Sequence, residues 1–138
     1  MRVIGFSFKQ ISIEKKKDVD RNVKISTNID IADVSFPKLD LFQGKDIVSF
    51  DYNFKILYED FAELMFKGSI LSLLEDKKQF EELKKSWKTK KISDDLRIPL
   101  MSTIFSRCNL KSLQLEDDLG LPAHLPSPKI TQNPENQK

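Results

Sequence analysis

Two stretches of strict two-residue alternation limit the folds open to this chain. Val23, Ile25, Thr27, Ile29 and Ile31 alternate with Lys24, Ser26, Asn28 and Asp30, and then Val48, Phe50, Tyr52, Phe54, Ile56 and Tyr58 alternate with Ser49, Asp51, Asn53 and Lys55. Successive strand residues point to opposite faces, so each stretch predicts a strand with one buried and one wet side. Parallel strands are normally covered on both faces. Two half-wet strands in succession therefore predict an antiparallel sheet with one face in water.

The flanking segments extend that sheet to four strands. From Val3 to Ile13 the apolar positions fall on Ile4, Phe6 and Phe8, then change parity to Ile11 and Ile13. A change of parity predicts a bulge and a bent strand. Glu14 to Asn22 is charged and reads as a solvated connection. After a short turn at Glu59 and Asp60, a strand from Phe61 to about Leu71 with Ala62, Leu64, Phe66 and Ile70 inward should form a hairpin with its predecessor. Between the second and third strands, Asp33 to Asp46 is a loop of high apolar content around Pro37 and Gly44. It either folds over the open edge of the core or forms a flap that contacts another chain.

Two helices follow. Asp76 to Lys91 carries Phe80, Leu83 and Trp87 at helical spacing, with Lys84, Lys85, Lys88, Lys90 and Lys91 toward its end, as the helix dipole favours. The second begins near Ser93 as N-cap, with Asp94 and Asp95 in its first turn and regular hydrogen bonding starting near Pro99. Along its body to about Leu113, Ile98, Leu100, Met101, Ile104, Phe105 and Cys108 cover an arc of roughly 160°. The other side offers Ser102, Thr103, Ser106 and Asn109, small neutral groups where an exposed helix usually carries Lys and Glu. Such a helix is expected to be covered on both sides, with Ser102, Ser106 and Asn109 in an interface between copies. Beyond Asp118 the run LGLPAHLPSP excludes helix and reads as an extended strap with Leu119, Leu121 and Leu125 inward. Residues 1–128 are read as a single α+β domain, a four-stranded antiparallel sheet with two helices packed on one face, and residues 129–138 as a polar, disordered tail.

The chemistry available is narrow. The one histidine, His124, lies in the Pro-rich strap and reads as a surface residue, which leaves no triad, zinc site or histidine relay. The one cysteine, Cys108, shares the apolar arc and reads as a small core hydrophobe. Four scattered glycines make no phosphate-cradling loop. The expectation is a protein that is not an enzyme and uses no cofactor or metal. With 23 basic against 21 acidic residues there is no nucleic-acid footprint, and Ser49, Asp51 and Asn53 on the wet sheet face are not the aromatic and basic set that stacks RNA bases. A single thiol and no apolar run of about 20 residues predict a cytoplasmic chain without membrane insertion.

The order of elements, and the segments FSFKQISI from Phe6, VKISTNID from Val23, DIVSFDYNFKI from Asp46 and FAELMFKGSI from Phe61, resemble the SecB family of protein-export chaperones. IPLMSTIFSRCNLKSLQL from Ile98 is similar to that family's major helix with its leading proline, and LGLPAHLP from Leu119 to the apolar segment after it. The family's acidic surface for the translocation motor is replaced here by a lysine-rich helix, and a stand-alone or toxin–antitoxin-associated type is the closer implication. The resemblance implies a SecB-like holdase for unfolded or nascent client polypeptides, assembled as a homo-oligomer, dimer or tetramer. The alternative is a dedicated interaction module of the same fold that binds one partner, such as a toxin or an assembly subunit. Candidate client contacts are Phe36, Leu39, Leu41 and Phe42 in the loop and Leu119, Leu121 and Leu125 in the strap.

Overall fold

The computed structural model describes residues 1–18, 22–38 and 46–125. Its elements are β1 (Arg2–Lys15), β2 (Ile25–Ser35), β3 (Asp46–Tyr58), β4 (Ala62–Leu74), α1 (Lys77–Trp87) and α2 (Asp94–Leu119). The four strands form one antiparallel sheet in the order β1-β4-β3-β2. Thus β2, β3 and β4 follow one another as the alternation predicts, and β1 closes on β4. Leu39, Leu41 and Phe42 of the loop, and the 129–138 tail, lie outside the described residues.

The pleat sorts β3 and β4 as expected. Phe50, Phe54, Ile56, Leu64, Phe66 and Ile70 are fully buried and share one core with Phe80 and Leu83 of α1 and Leu96, Leu100, Ile104 and Cys108 of α2. Phe54 faces Phe66 in register, and their rings stack at 5.8 Å. The opposite face carries half-buried Asp51, Asn53 and Lys55, with cross-strand ion pairs Lys9–Asp51 at 3.5 Å and Lys55–Glu63 at 3.0 Å. That face is dry at one end, where the register neighbours Ile47 and Leu73 are each 3% exposed.

The parity change in β1 is resolved by an irregularity between Phe8 and Gln10. Phe6 and Phe8 pair with Ile70 and Gly68, and after the extra residue Ile11 and Ile13 pair with Phe66 and Leu64. One residue left out of the ladder thus keeps both apolar pairs on the same face.

Gly68 is required by a close approach. Its cross-strand neighbour Tyr52 lies over it and donates its hydroxyl hydrogen to the Ser7 carbonyl of β1 at 3.2 Å. Phe6 stacks on the same ring at 5.2 Å. A tyrosine across the sheet from a glycine covers backbone that no side chain shields.

Both helices end in a paired backbone cap in which one residue takes the left-handed region. At α2 that residue is Gly120, φ 65°, with Leu121 N–H on Glu116 O at 2.8 Å and Gly120 N–H on Asp117 O at 3.3 Å. At α1 the same bonds run from Lys91 to Ser86 O and from Lys90 to Trp87 O, and the left-handed residue is Lys90, φ 59°. This turn ends α1 at Trp87, four residues before the lysine run does.

Helix α2 departs from its expected form in two ways. Ser93 is its N-cap and Asp94 and Asp95 fill its first turn as expected, but regular hydrogen bonding begins there and not near Pro99, because Pro99 sits on the exposed side where the missing N–H costs only a solvent-facing bond. Its buried residues are Leu96, Leu100, Ile104, Cys108, Ser112 and Glu116, with Asn109 beside them. Steps of four residues drift by about 40° each, so the contact line winds around the helix instead of following a fixed arc. Ile98 and Phe105, placed in the buried arc by the sequence, are therefore 63% and 41% exposed.

Cys108 is fully buried, and burial pushes its thiol up to about 12, with partial opposition from a hydrogen bond to Tyr52. Native protein should therefore react with thiol reagents only through opening fluctuations. The expected labelling rate is at least a hundredfold below that of the chain in strong denaturant. Rapid stoichiometric labelling of the native chain would contradict the placement.

Candidate functional site

Three features of the described surface and interior stand apart from ordinary packing. The first is a groove of about 270 Å³ where β2, the end of α1 and the start of α2 converge. Ile29 and Ile31 of β2, Trp87 of α1, Ile92 of the connection and Met101 of α2 form its apolar lining. Asp30, Lys90 and Arg97 supply charge around it. Lys90 reaches the rim because of its left-handed backbone, and its Nζ sits 4.7 Å above the Trp87 ring. Arg97 is tied to Asp94 at 3.3 Å. The groove runs beside β2, the last strand of the sheet, whose outer edge has no partner strand among the described residues. An open edge next to an apolar trough is the geometry that accepts an extended polypeptide, backbone on the edge and side chains in the trough.

The second feature is the outer side of α2. Ile98 and Leu110 are 63% and 65% exposed, and Phe105 and Leu113 add to them, with Ser102 and Ser106 between. Four large apolar groups within four turns of one helix form a surface of the kind that marks interaction sites. Ser102, Thr103, Ser106 and Arg107 line a shallow depression of about 240 Å³ on the same side.

The third is a buried polar cluster at the end of α2. Glu116, 1% exposed, accepts hydrogen bonds from the Tyr58 hydroxyl and from the His124 backbone N–H at 2.9 Å. The His124 ring bridges Glu116 Oε1, 2.8 Å from Nδ1, and Asn109 Oδ1, 2.7 Å from Nε2. Burial first, and then the Glu116 carboxylate, raise the Tyr58 hydroxyl well above the usual phenol range, so it remains a donor. His124 is thus an interior residue and not a surface one. Asn109, placed by the sequence with Ser102 and Ser106 on the neutral side, is 8% exposed within the single chain and bound to that ring.

The other sequence candidates fall in separate places. Phe36 packs edge-on against Phe80 at 5.3 Å with Lys84 Nζ over its ring at 5.5 Å, which sets the start of the apolar loop against α1. Leu119 and Leu125 are half-buried, and Leu121, 7% exposed, belongs to the core. Among the described candidates, Phe36 thus sits against α1, whereas Leu119, Leu121 and Leu125 lie at and beyond the end of α2. The groove around Trp87, Ile92 and Met101 was not among them. Its sequence signal was an aromatic at the last turn of a lysine-rich helix with a lone Ile in the connection that follows.

No family model matches the chain, and no curated protein does. The sheet order and the two helices define a SecB-like α+β fold. The chain is similar to the Mycobacterium tuberculosis Rv1957 SecB-like chaperone, solved in complex with a ChAD peptide from the Rv1956 HigA1 antitoxin, with a TM-score of 0.52 and 12% identity. The likeness is one of fold and covers 96% of this chain and 91% of that one. Among the described residues no helix is long and apolar enough to cross a membrane.

Proposed function

We propose that this protein is a SecB-like holdase that binds unfolded or nascent polypeptide segments by apolar burial, without a catalytic group or cofactor. The observation that carries the reading is the SecB-like fold over nearly the whole chain, since the solved example is a chaperone holding a peptide. The groove between β2, Trp87 and Met101 supports it as the seat for client segments, because apolar burial is non-directional and tolerates many sequences. The exposed Ile98, Phe105, Leu110 and Leu113 of α2 support assembly into a homo-oligomer, with Ser102 and Ser106 allowing close approach of a second copy. Its place of action in this reading is the cytoplasm.

A second reading has its own support. The solved example holds a peptide of one antitoxin, which favours a dedicated module with a single partner. Light scattering of a thermally unfolding model protein distinguishes the two. A holdase at a few equivalents suppresses the scattering, and Trp87→Ala weakens that suppression severalfold. No suppression, together with one stoichiometric partner in a pull-down, would replace the first reading with the second.

A further inference from the structure

The groove beside β2 carries a charge that apolar burial alone does not call for. Ile29 and Ile31 point toward the helices, because they pair with Phe54 and Tyr52 of the core face, whereas Asp30 between them pairs with Asn53 of the half-wet face. The Asp30 carboxylate is thus directed to the other side of the sheet, and what Asp30 gives the groove is backbone at the open edge. Lys90 and Arg97 remain as the charged side chains over the trough of Trp87, Ile92 and Met101.

Both cations are free to take a further partner. The hydrogen bond from Arg97 to Asp94 uses Nε, at 3.3 Å, and leaves the two terminal nitrogens of the guanidinium as donors. Among the described ion pairs Lys90 has no acidic partner, and its ammonium rests 4.7 Å over the Trp87 ring. Lys90 also stands where a helix end usually has glycine: its φ of 59° is left-handed, and the matching position of α2 is Gly120. Glycine takes that backbone without steric cost, so the turn itself gives no reason for a lysine.

We propose that the groove selects extended segments in which an Asp or Glu accompanies the apolar residues, and that Lys90 is the residue that makes the selection. This rests on the reading of the groove as the client seat. The occupant is a segment of another polypeptide whose backbone pairs with the outer edge of β2, which has no partner strand among the described residues. Side chains two residues apart then point into the trough, and one of them is a carboxylate that meets Lys90 and Arg97. A purely apolar segment covers both cations without giving them a counter-charge, and a basic segment adds like charge to them. The trough, about 270 Å³, takes only a few side chains of a segment, so a single carboxylate among them decides the balance.

Trp87 is the one tryptophan of the chain, and its fluorescence therefore reports on the groove. The probes are synthetic peptides without tryptophan that share one alternating pattern of Leu and Val and differ at one trough-facing position, Asp, Asn or Lys. Titrated into the full chain at low salt, the Asp peptide is expected to bind about fivefold tighter than the Asn peptide, with the Lys peptide weakest. The preference should fade as NaCl rises to about 0.5 M. Lys90→Gln should bring the Asp and Asn peptides to within about twofold of each other and leave the Asn peptide as it was. Lys90→Gly should do the same while melting no lower than the parent, which separates loss of the ammonium from loss of the fold. Equal affinities for the three peptides would overturn the selection and leave the client seat standing. No response of Trp87 to any peptide would overturn both. A Trp87 signal that shifts on dilution without peptide would give the groove to a second copy of the chain. Equally tight binding of an acidic peptide without apolar residues, or of an RNA oligonucleotide, would make it a general anion surface, and either result overturns the proposal.

Discussion

Gly68→Ala is expected to lower the stability of this protein by about 4 kcal/mol or more, seen as a fall in the urea midpoint. A Cβ built at Gly68 would stand 2.0 Å from the Ser7 carbonyl oxygen and 2.5 Å from the Tyr52 hydroxyl oxygen. The first of these is backbone, so β1 must move away from β4, and the second breaks the bond from Tyr52 to Ser7 as well. Stability of a domain this size is about 5–15 kcal/mol in total, and the variant should be partly unfolded without denaturant. Gly5→Ala is the internal control: its Cβ would meet Leu71 Cβ at 3.5 Å, an ordinary contact, and the change should stay within about 1 kcal/mol. Equal losses at both glycines would show that Tyr52 does not lie across β4.

Phe54→Ala should cost about 3–5 kcal/mol, the range for an aromatic removed from a core that cannot collapse. The ring is 0% exposed, stacked on Phe66, and surrounded by strands on both sides of β3. Its neighbour Asn53 points to the half-wet face, and Asn53→Ala should stay within about 0.5 kcal/mol. Thermal unfolding of the pair reads the pleat directly. Similar losses at both positions would mean that the faces of β3 were exchanged.

The strands were legible because a period of two is local: Phe50, Tyr52, Phe54 and Ile56 need only their own neighbours to declare a face. The bulge after Phe8 was legible for the same reason, as a break in that period. Helix α2 was less so. Its contact line depends on how it crosses the sheet, which no window of sequence encodes, and this is why Ile98 and Phe105 are exposed while Ser112 and Glu116 are interior. His124 was misplaced because its partners are distant in sequence or in kind. Tyr58 lies 58 residues before Glu116, and a histidine between prolines gives no periodic sign of burial. The groove was missed because Ile29, Trp87 and Met101 come from three elements that meet only in the fold.

The four-residue step of the α2 contact line bears on how uniquely this helix can sit. Leu96, Leu100, Ile104 and Cys108 repeat at equal spacing, so sliding the helix by one turn would set Leu100 in the seat of Leu96 and Ile104 in that of Leu100. Apolar packing alone discriminates weakly between such neighbouring settings, because hydrophobic residues of similar size exchange at small cost. The polar end of the helix does discriminate. That slide would bring Gly120, which has no side chain, to the Tyr58 hydroxyl and carry Glu116 into the seat of Ser112, leaving a carboxyl without its donors in the interior. Glu116 and Asn109 thus act as a ratchet stop, and the sliding freedom that a leucine-like ladder would allow is cancelled by one acid at its far end.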